Sequence, residues 1–270
     1  MQLRSLVVRN IEDLQLATGR NREFRPVQMG AGDVNGRLFV SEFGGIRLTY
    51  GKFISDIHLS GTLSNDKLSL AVVMNADDVR CFGKYARAGD MLVAGKAKEN
   101  DGRYRSELEY AVINLDKADV LNMAEAEDCV ISPSWLDGSN LYQLEEGKSA
   151  RLVKRTKSVL EKLRNGSLQA IGAEAEQSLA DEIVRLFTSS LPDATTRDWS
   201  GEMPRHSLPK LVQRAEGWLE AEPHRVPRIQ ELSQILCVSP RQLYRSFHAE
   251  VGISPAKYLR RYRLTRTRFE

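Results

Sequence analysis

Residues 229–264 read IQELSQILCVSPRQLYRSFHAEVGISPAKYLRRYRL. Apolar residues at Ile229, Leu232, Ile235 and Leu236 predict a short helix over Arg228–Leu236, with Cys237 and Val238 as a tight turn. Ser239 is placed to accept from free N–H groups of the next turn, and Pro240 sits at the first helical position, where no N–H is needed. The second helix buries Leu243 and Phe247, four residues apart, which leaves Arg241, Gln242, Tyr244 and Arg245 facing outward near its start. Two short helices joined this way, the second with exposed Arg and Gln early, match how a helix-turn-helix presents side chains to the DNA major groove. Arg donates twice to guanine and Gln pairs with adenine.

Charge agrees. Between Ser239 and Arg268 the basic residues are Arg241, Arg245, Lys257, Arg260, Arg261, Arg263, Arg266 and Arg268, against one acid, Glu250. Such a stretch suits phosphate contacts with double-stranded DNA, where a merely solvated helical bundle needs no such bias.

The spaced set Ser239-Pro240-Arg241-Gln242-Leu243, Arg245, Phe247, then Gly252-Ile253-Ser254-Pro255, Tyr258 and Arg263-Leu264, resembles the DNA-binding domain of the AraC/XylS transcription regulators. Cys237 stands where that family often has a turn glycine. The resemblance implies two helix-turn-helix units joined by a long helix. Only the first falls within residues 205–270, and the chain reads as a trimmed form. The same resemblance implies an N-terminal cupin-like sensor domain, a homodimer and a small effector.

The rest of the chain bears on that expectation. It has 270 residues, 41% of them hydrophobic, enough for two domains. No apolar run approaches the ~18 residues of a membrane span, and the charged N-terminus is not a secretory signal. Cys81, Cys129 and Cys237 are widely spaced, consistent with reduced thiols in the cytoplasm.

From Arg37 to Val120, short apolar runs (38–40, 46–50, 57–59, 68–74, 91–93, 110–113) alternate with breakers at Gly44-Gly45, 64–66, 87–90 and Asn100-Asp101-Gly102. This pattern predicts a sandwich or barrel over 1–146. Only His58 lies in the region, so no metal and no cofactor is expected there.

From Gly147 the period becomes helical: Leu152, Val153, Thr156, Val159, Leu160 and Leu163, then Leu179, Ile183, Val184, Leu186 and Phe187. Residues 147–191 are assigned as a helical dimerisation segment, either facing a second copy or covered by the barrel. Residues 192–204 read as a linker. The predicted fold class is therefore α+β, with a β-barrel, a helical segment and a C-terminal all-α helix-turn-helix domain.

Lys148, Arg151, Lys154, Arg155 and Lys157 crowd the start of the first of these helices. Cations oppose the helix macrodipole there, and a bound anion would relieve the cost. Arg151 and Arg155 have RxxxR spacing, and Asp137-Gly138-Ser139 lies just upstream; these resemble the two motifs by which PilZ domains bind cyclic di-GMP. The elements come in the opposite order from PilZ, and Tyr142 stands where a glycine belongs. The expected ligand set is Asp137, Ser139, Lys148, Arg151 and Arg155. A solvated basic face and a different effector, a sugar or other metabolite, stay open. The expected function is a DNA-binding regulator and not an enzyme. The competing class is a cupin-type carbohydrate enzyme with a basic tail, which lacks metal ligands or a paired nucleophile and base.

Overall fold

The computed structural model describes residues 2–17, 24–30, 32–62, 67–82, 84–95, 99–126, 139–164, 172–190, 209–222 and 224–266. The chain divides into two compact units: 1–26 with 32–197, and 27–31 with 198–270. The fold is α+β, with strands in the first unit and helices in both.

Strands β1 (Gln2–Val8), β3 (Asn35–Phe43), β4 (Ile46–Ile54), β11 (Glu107–Asp116), β6 (Lys67–Ala76), β9 (Met91–Ala94) and β12 (Ser139–Tyr142) form a seven-stranded sheet in that order. A second sheet runs β2 (Phe24–Gln28), β5 (Ile57–Thr62), β10 (Glu99–Tyr104), β7 (Val79–Cys81), β8 (Lys84–Ala86). Among the described residues the strands form two sheets, the two-sheet form of an antiparallel β domain. All six apolar runs fall in strands. At the Gly44-Gly45 breaker Phe43 faces Ile46 across a two-residue turn, with φ of +50° and +77° at the glycines, the left-handed pair that a tight hairpin requires.

Period-2 alternation gives the larger sheet two apolar faces. Phe39, Phe43, Leu48, Leu70, Val72 and Ile113 lie in one cluster, while Leu38, Phe53, Val73 and Leu108 join Ile57, Val79 and Tyr104 of the smaller sheet in another. Helices α3 (Glu146–Arg164) and α4 (Ala173–Thr188) close the first face with Leu152, Val159, Leu160, Leu163, Ile183, Val184 and Phe187. The stripes from which a homodimer was expected are thus buried inside the chain, because the sheet's second apolar face needs a cover. Of the two covers open for these stripes, a second copy or the β-rich unit, the chain itself supplies the second, and α3 and α4 pack on the sheet.

Three further differences are physical. Asn100-Asp101-Gly102, expected as a breaker, lies within β10, where Gly102 pairs with Leu59 on one side and Cys81 on the other; ladder bonds on both edges outweigh a turn preference of about 1 kcal/mol. Helix α1 (Ile11–Ala17) is started by Asn10, whose Oδ1 accepts from the Asp13 N–H at 2.8 Å, while Asp13 Oδ2 accepts from the Arg9 N–H at 2.8 Å. Helix α2 (Lys117–Ala126) follows β11 directly. The linker 192–204 and the breaker 64–66 lie outside the described residues. Among the described residues no helix is long and apolar enough to cross a membrane.

Leu152 is fully buried under the sheet. Leu152→Ala should cost ~2–5 kcal/mol in denaturant unfolding. Because the burial is within one chain, the loss should not depend on protein concentration; a midpoint that climbs with concentration would return the stripe to a dimer interface.

Candidate nucleic-acid interface and effector cluster

The second unit has its own core. Helix α5 (Pro209–Ala221) contributes Leu211, Val212, Ala215 and Leu219, and α6 (Ile229–Ile235) contributes Leu232, with Leu236 just beyond it. Leu243, Phe247 and Val251 come from α7 (Pro240–Glu250) and its end; Tyr258, Leu259 and Tyr262 come from α8 (Pro255–Arg266). The Phe247 and Tyr258 rings meet edge-on at 5.2 Å. Inside this core the Tyr258 hydroxyl donates to the Glu216 carboxylate, tying α8 to α5.

The α6–α7 turn is held by backbone bonds: the Cys237 N–H donates to Gln234 O and the Val238 N–H to Ser233 O, each at 3.0 Å. Arg214 donates to Leu236 O at 2.8 Å, satisfying a free carbonyl at the end of α6. Cys237 has φ +53°, the left-handed conformation that a turn glycine adopts without strain. A non-glycine residue is unusual in that conformation.

Ser239 caps α7. Its hydroxyl accepts from the Gln242 N–H at 3.2 Å and donates to Gln242 Oε1 at 3.0 Å, while the Ser239 N–H donates to the same Oε1 at 3.0 Å. Both side chains, expected to contact DNA, are engaged in this capping box, a Ser-x-x-Gln signal legible in the sequence. Arg241, Tyr244 and Arg245 remain exposed and uncommitted to the cap, and Leu243 and Phe247 are buried as expected. His248, outside the expected set, is exposed too. Arg241, Tyr244, Arg245 and His248 stand at i, i+3, i+4 and i+7, one stripe along the helix. On α8, Lys257, Arg260 and Arg263 are exposed, and Arg263 also donates to Val226 O at 3.4 Å.

In the first unit, the expected effector residues are brought together only in part. Asp137 lies outside the described residues. Ser139 begins β12, the sheet-edge strand, opposite Ala94. Lys148, Arg151 and Arg155 are exposed at i, i+3 and i+7 on one flank of α3; Lys154 and Lys157 face a groove on another. Helix α3 starts at Glu146, one residue before the change of period at Gly147, and this first-turn carboxylate offsets part of the macrodipole cost of the cations. Among the described residues no group of three His, Cys, Asp or Glu could hold a metal.

No protein-family model matches the chain, and no curated protein matches it. Among solved structures it is similar to the AraC-like transcriptional activator CuxR, at 11% identity over 98% of this chain and 95% of that one, with a TM-score of 0.45. ToxT from Vibrio cholerae O395 is 9% identical over 91% of this chain and 81% of its own, with a TM-score of 0.29. A cupin 2 conserved barrel domain protein from Rhodopseudomonas palustris is 10% identical over 39% of this chain and 84% of its own, at 0.20. At these scores the likenesses assign no family.

The turn and the cap can be tested separately. Cys237→Gly should stabilise the chain by about 1 kcal/mol by removing the left-handed strain. Ser239→Ala should destabilise it by ~0.5–2 kcal/mol through loss of the cap. Thermal unfolding of the two variants should move in opposite directions; a shift of the same sign in both would show that the turn is not set by these residues.

Proposed function

We propose that the chain is a DNA-binding transcription regulator of AraC type, with α6 and α7 as its helix-turn-helix. One observation supports this above the others: the α7 stripe of Arg241, Tyr244, Arg245 and His248, exposed on a helix whose opposite side is anchored by Leu243 and Phe247. The guanidinium groups are the base-reading pair, because Ser239 and Gln242 are held in the cap. Lys257 and Arg260 on α8 supply phosphate contacts, which position without reading sequence. The two-sheet unit serves as a cupin-like sensor domain.

The test begins with duplex DNA selected by the intact chain from a random-sequence pool. Fluorescence anisotropy on the selected duplex should show Arg241→Ala and Arg245→Ala each losing ~1–3 kcal/mol, with relaxed base preference at one position. Lys257→Ala should weaken binding to all sequences alike and flatten the salt dependence. Failure to enrich any sequence, together with unchanged binding in both arginine variants, would remove α7 from this role.

For the effector, the reading is an anionic nucleotide, cyclic di-GMP, on the Lys148, Arg151 and Arg155 flank. In its favour stand three exposed cations one and two turns apart on a single face, none of them ion-paired among the described residues. A guanidinium can bond a guanine edge, stack on it or neutralise its phosphate. Calorimetry with cyclic di-GMP should give heat with the wild type and little with Arg151→Ala or Arg155→Ala, both of which should melt like the wild type because exposed charges add little stability. No heat with the wild type would end the nucleotide reading and leave DNA recognition untouched.

A further inference from the structure

A groove lies on the other flank of α3. With a volume of about 630 Å³, it runs between this helix and the 87–90 turn, within the span usual for small-molecule sites. Met74, Ala88, Ala150 and Val153 give it apolar lining, and Lys154, Lys157, Glu146 and Glu161 supply charge. Arg151 and Arg155 do not line it.

One wall is built rigidly. The Gly89 N–H donates to Val73 O at 2.7 Å and the Val73 N–H to Asp90 O at 2.9 Å, locking the turn to β6. Asp90 is buried, and its Oδ2 accepts from the Arg87 N–H at 2.8 Å, closing the turn on itself. Gly89 has φ +93°, and a Cβ on it would come within 2.5 Å of Ser149 Cβ, so the first turn of α3 sits directly on glycine backbone. The groove therefore has fixed walls, which lowers the ordering cost of filling it.

The charges inside it are balanced and unspent. Lys157 and Glu161 are one helical turn apart, close enough to pair, and Lys154 lies one turn before Lys157. Among the described residues Lys154, Lys157 and Glu161 form no ion pair. A polyanion would meet Glu146 and Glu161 as like charges, and a plain hydrocarbon would leave all four charges unanswered. A molecule carrying one carboxylate and one ammonium a few ångström apart, next to an apolar side chain, answers the two lysines, Glu161 and the apolar lining.

We infer that this groove binds a free α-amino acid with an apolar or aromatic side chain, its carboxylate on Lys154 and Lys157, its ammonium on Glu161, and its side chain against Met74 and Val153. The inference does not rest on DNA binding or on the nucleotide reading, since it uses neither α7 nor the Arg151 flank.

The test uses the intact chain, calorimetry and saturation-transfer NMR. Three probes share one aromatic body: L-phenylalanine, 3-phenylpropionate without the ammonium, and phenethylamine without the carboxylate. L-phenylalanine should bind with a Kd of about 1 mM or tighter, and each truncated probe at least about ten-fold more weakly, because each leaves one charged group unanswered. The Lys154→Met/Lys157→Met double variant should lose phenylalanine binding, and Glu161→Gln should bring phenylalanine down to the level of phenylpropionate. Their melting temperatures should stay at the wild-type value, since all three side chains are exposed. Absence of phenylalanine binding at 10-fold that concentration, equal binding of the three probes, or unaltered binding in the variants would each overturn the assignment. Equal binding of the probes is informative even if a variant fails to fold.

Discussion

The seven-stranded sheet is buried on both faces, and the first unit is arranged around that constraint. Strand β6 carries an unbroken buried run from Leu68 to Met74, with Leu68, Leu70, Val72 and Met74 in one cluster and Val73 in the other. Each large apolar side chain taken out of water contributes about 1.5–3 kcal/mol, so neither face can be left uncovered. The smaller sheet closes one side. Helices α3 and α4 must close the other, which dictates both where their apolar stripes point and what their remaining faces can show.

That geometry sorts the cations of α3. With Leu152, Thr156, Val159, Leu160 and Leu163 turned to the sheet, the Lys148, Arg151 and Arg155 flank turns to solvent. Lys154 and Lys157 are left beside the 87–90 turn. A cluster that is continuous in sequence becomes two surfaces of different chemistry: one purely cationic, the other mixed in sign and backed by apolar side chains. A helix has no way to keep five neighbouring residues on one side, because each step rotates the side chain by about a third of a turn.

The second unit depends on a smaller device. A left-handed residue at Cys237 ends α6, and the Ser239–Gln242 capping box begins α7 within three residues. The core formed by Phe247, Tyr258 and the Glu216 bond holds α7 from behind, so that its outward stripe is presented on a fixed scaffold. Capping consumes Ser239 and Gln242. The stripe is therefore shifted one turn along the helix from where polarity alone placed it, and it takes in His248.

Local signals carried much of this. Short apolar runs marked six strands, Gly44-Gly45 marked a break between two of them, and the apolar spacing of Leu152 to Leu163 and of Leu243 with Phe247 marked helices with a buried side, because these patterns are set by residues close in the chain. The same local logic failed at Asn100-Asp101-Gly102, where pairing with β5 and β7 holds turn-forming residues in a strand. It was also silent on what covers an apolar stripe. Leu152 and Ile183 look alike in sequence whether a sheet or a second copy faces them, and only the folded chain shows the sheet there. Likewise Gln242 is the right residue for an adenine edge and for a capping box, and its choice rests on a bond to Ser239 made in three dimensions. Periodicity is a property of neighbours along the chain. The partner of a face depends on which distant segments compete to bury it, and that competition is decided only when the whole chain has packed.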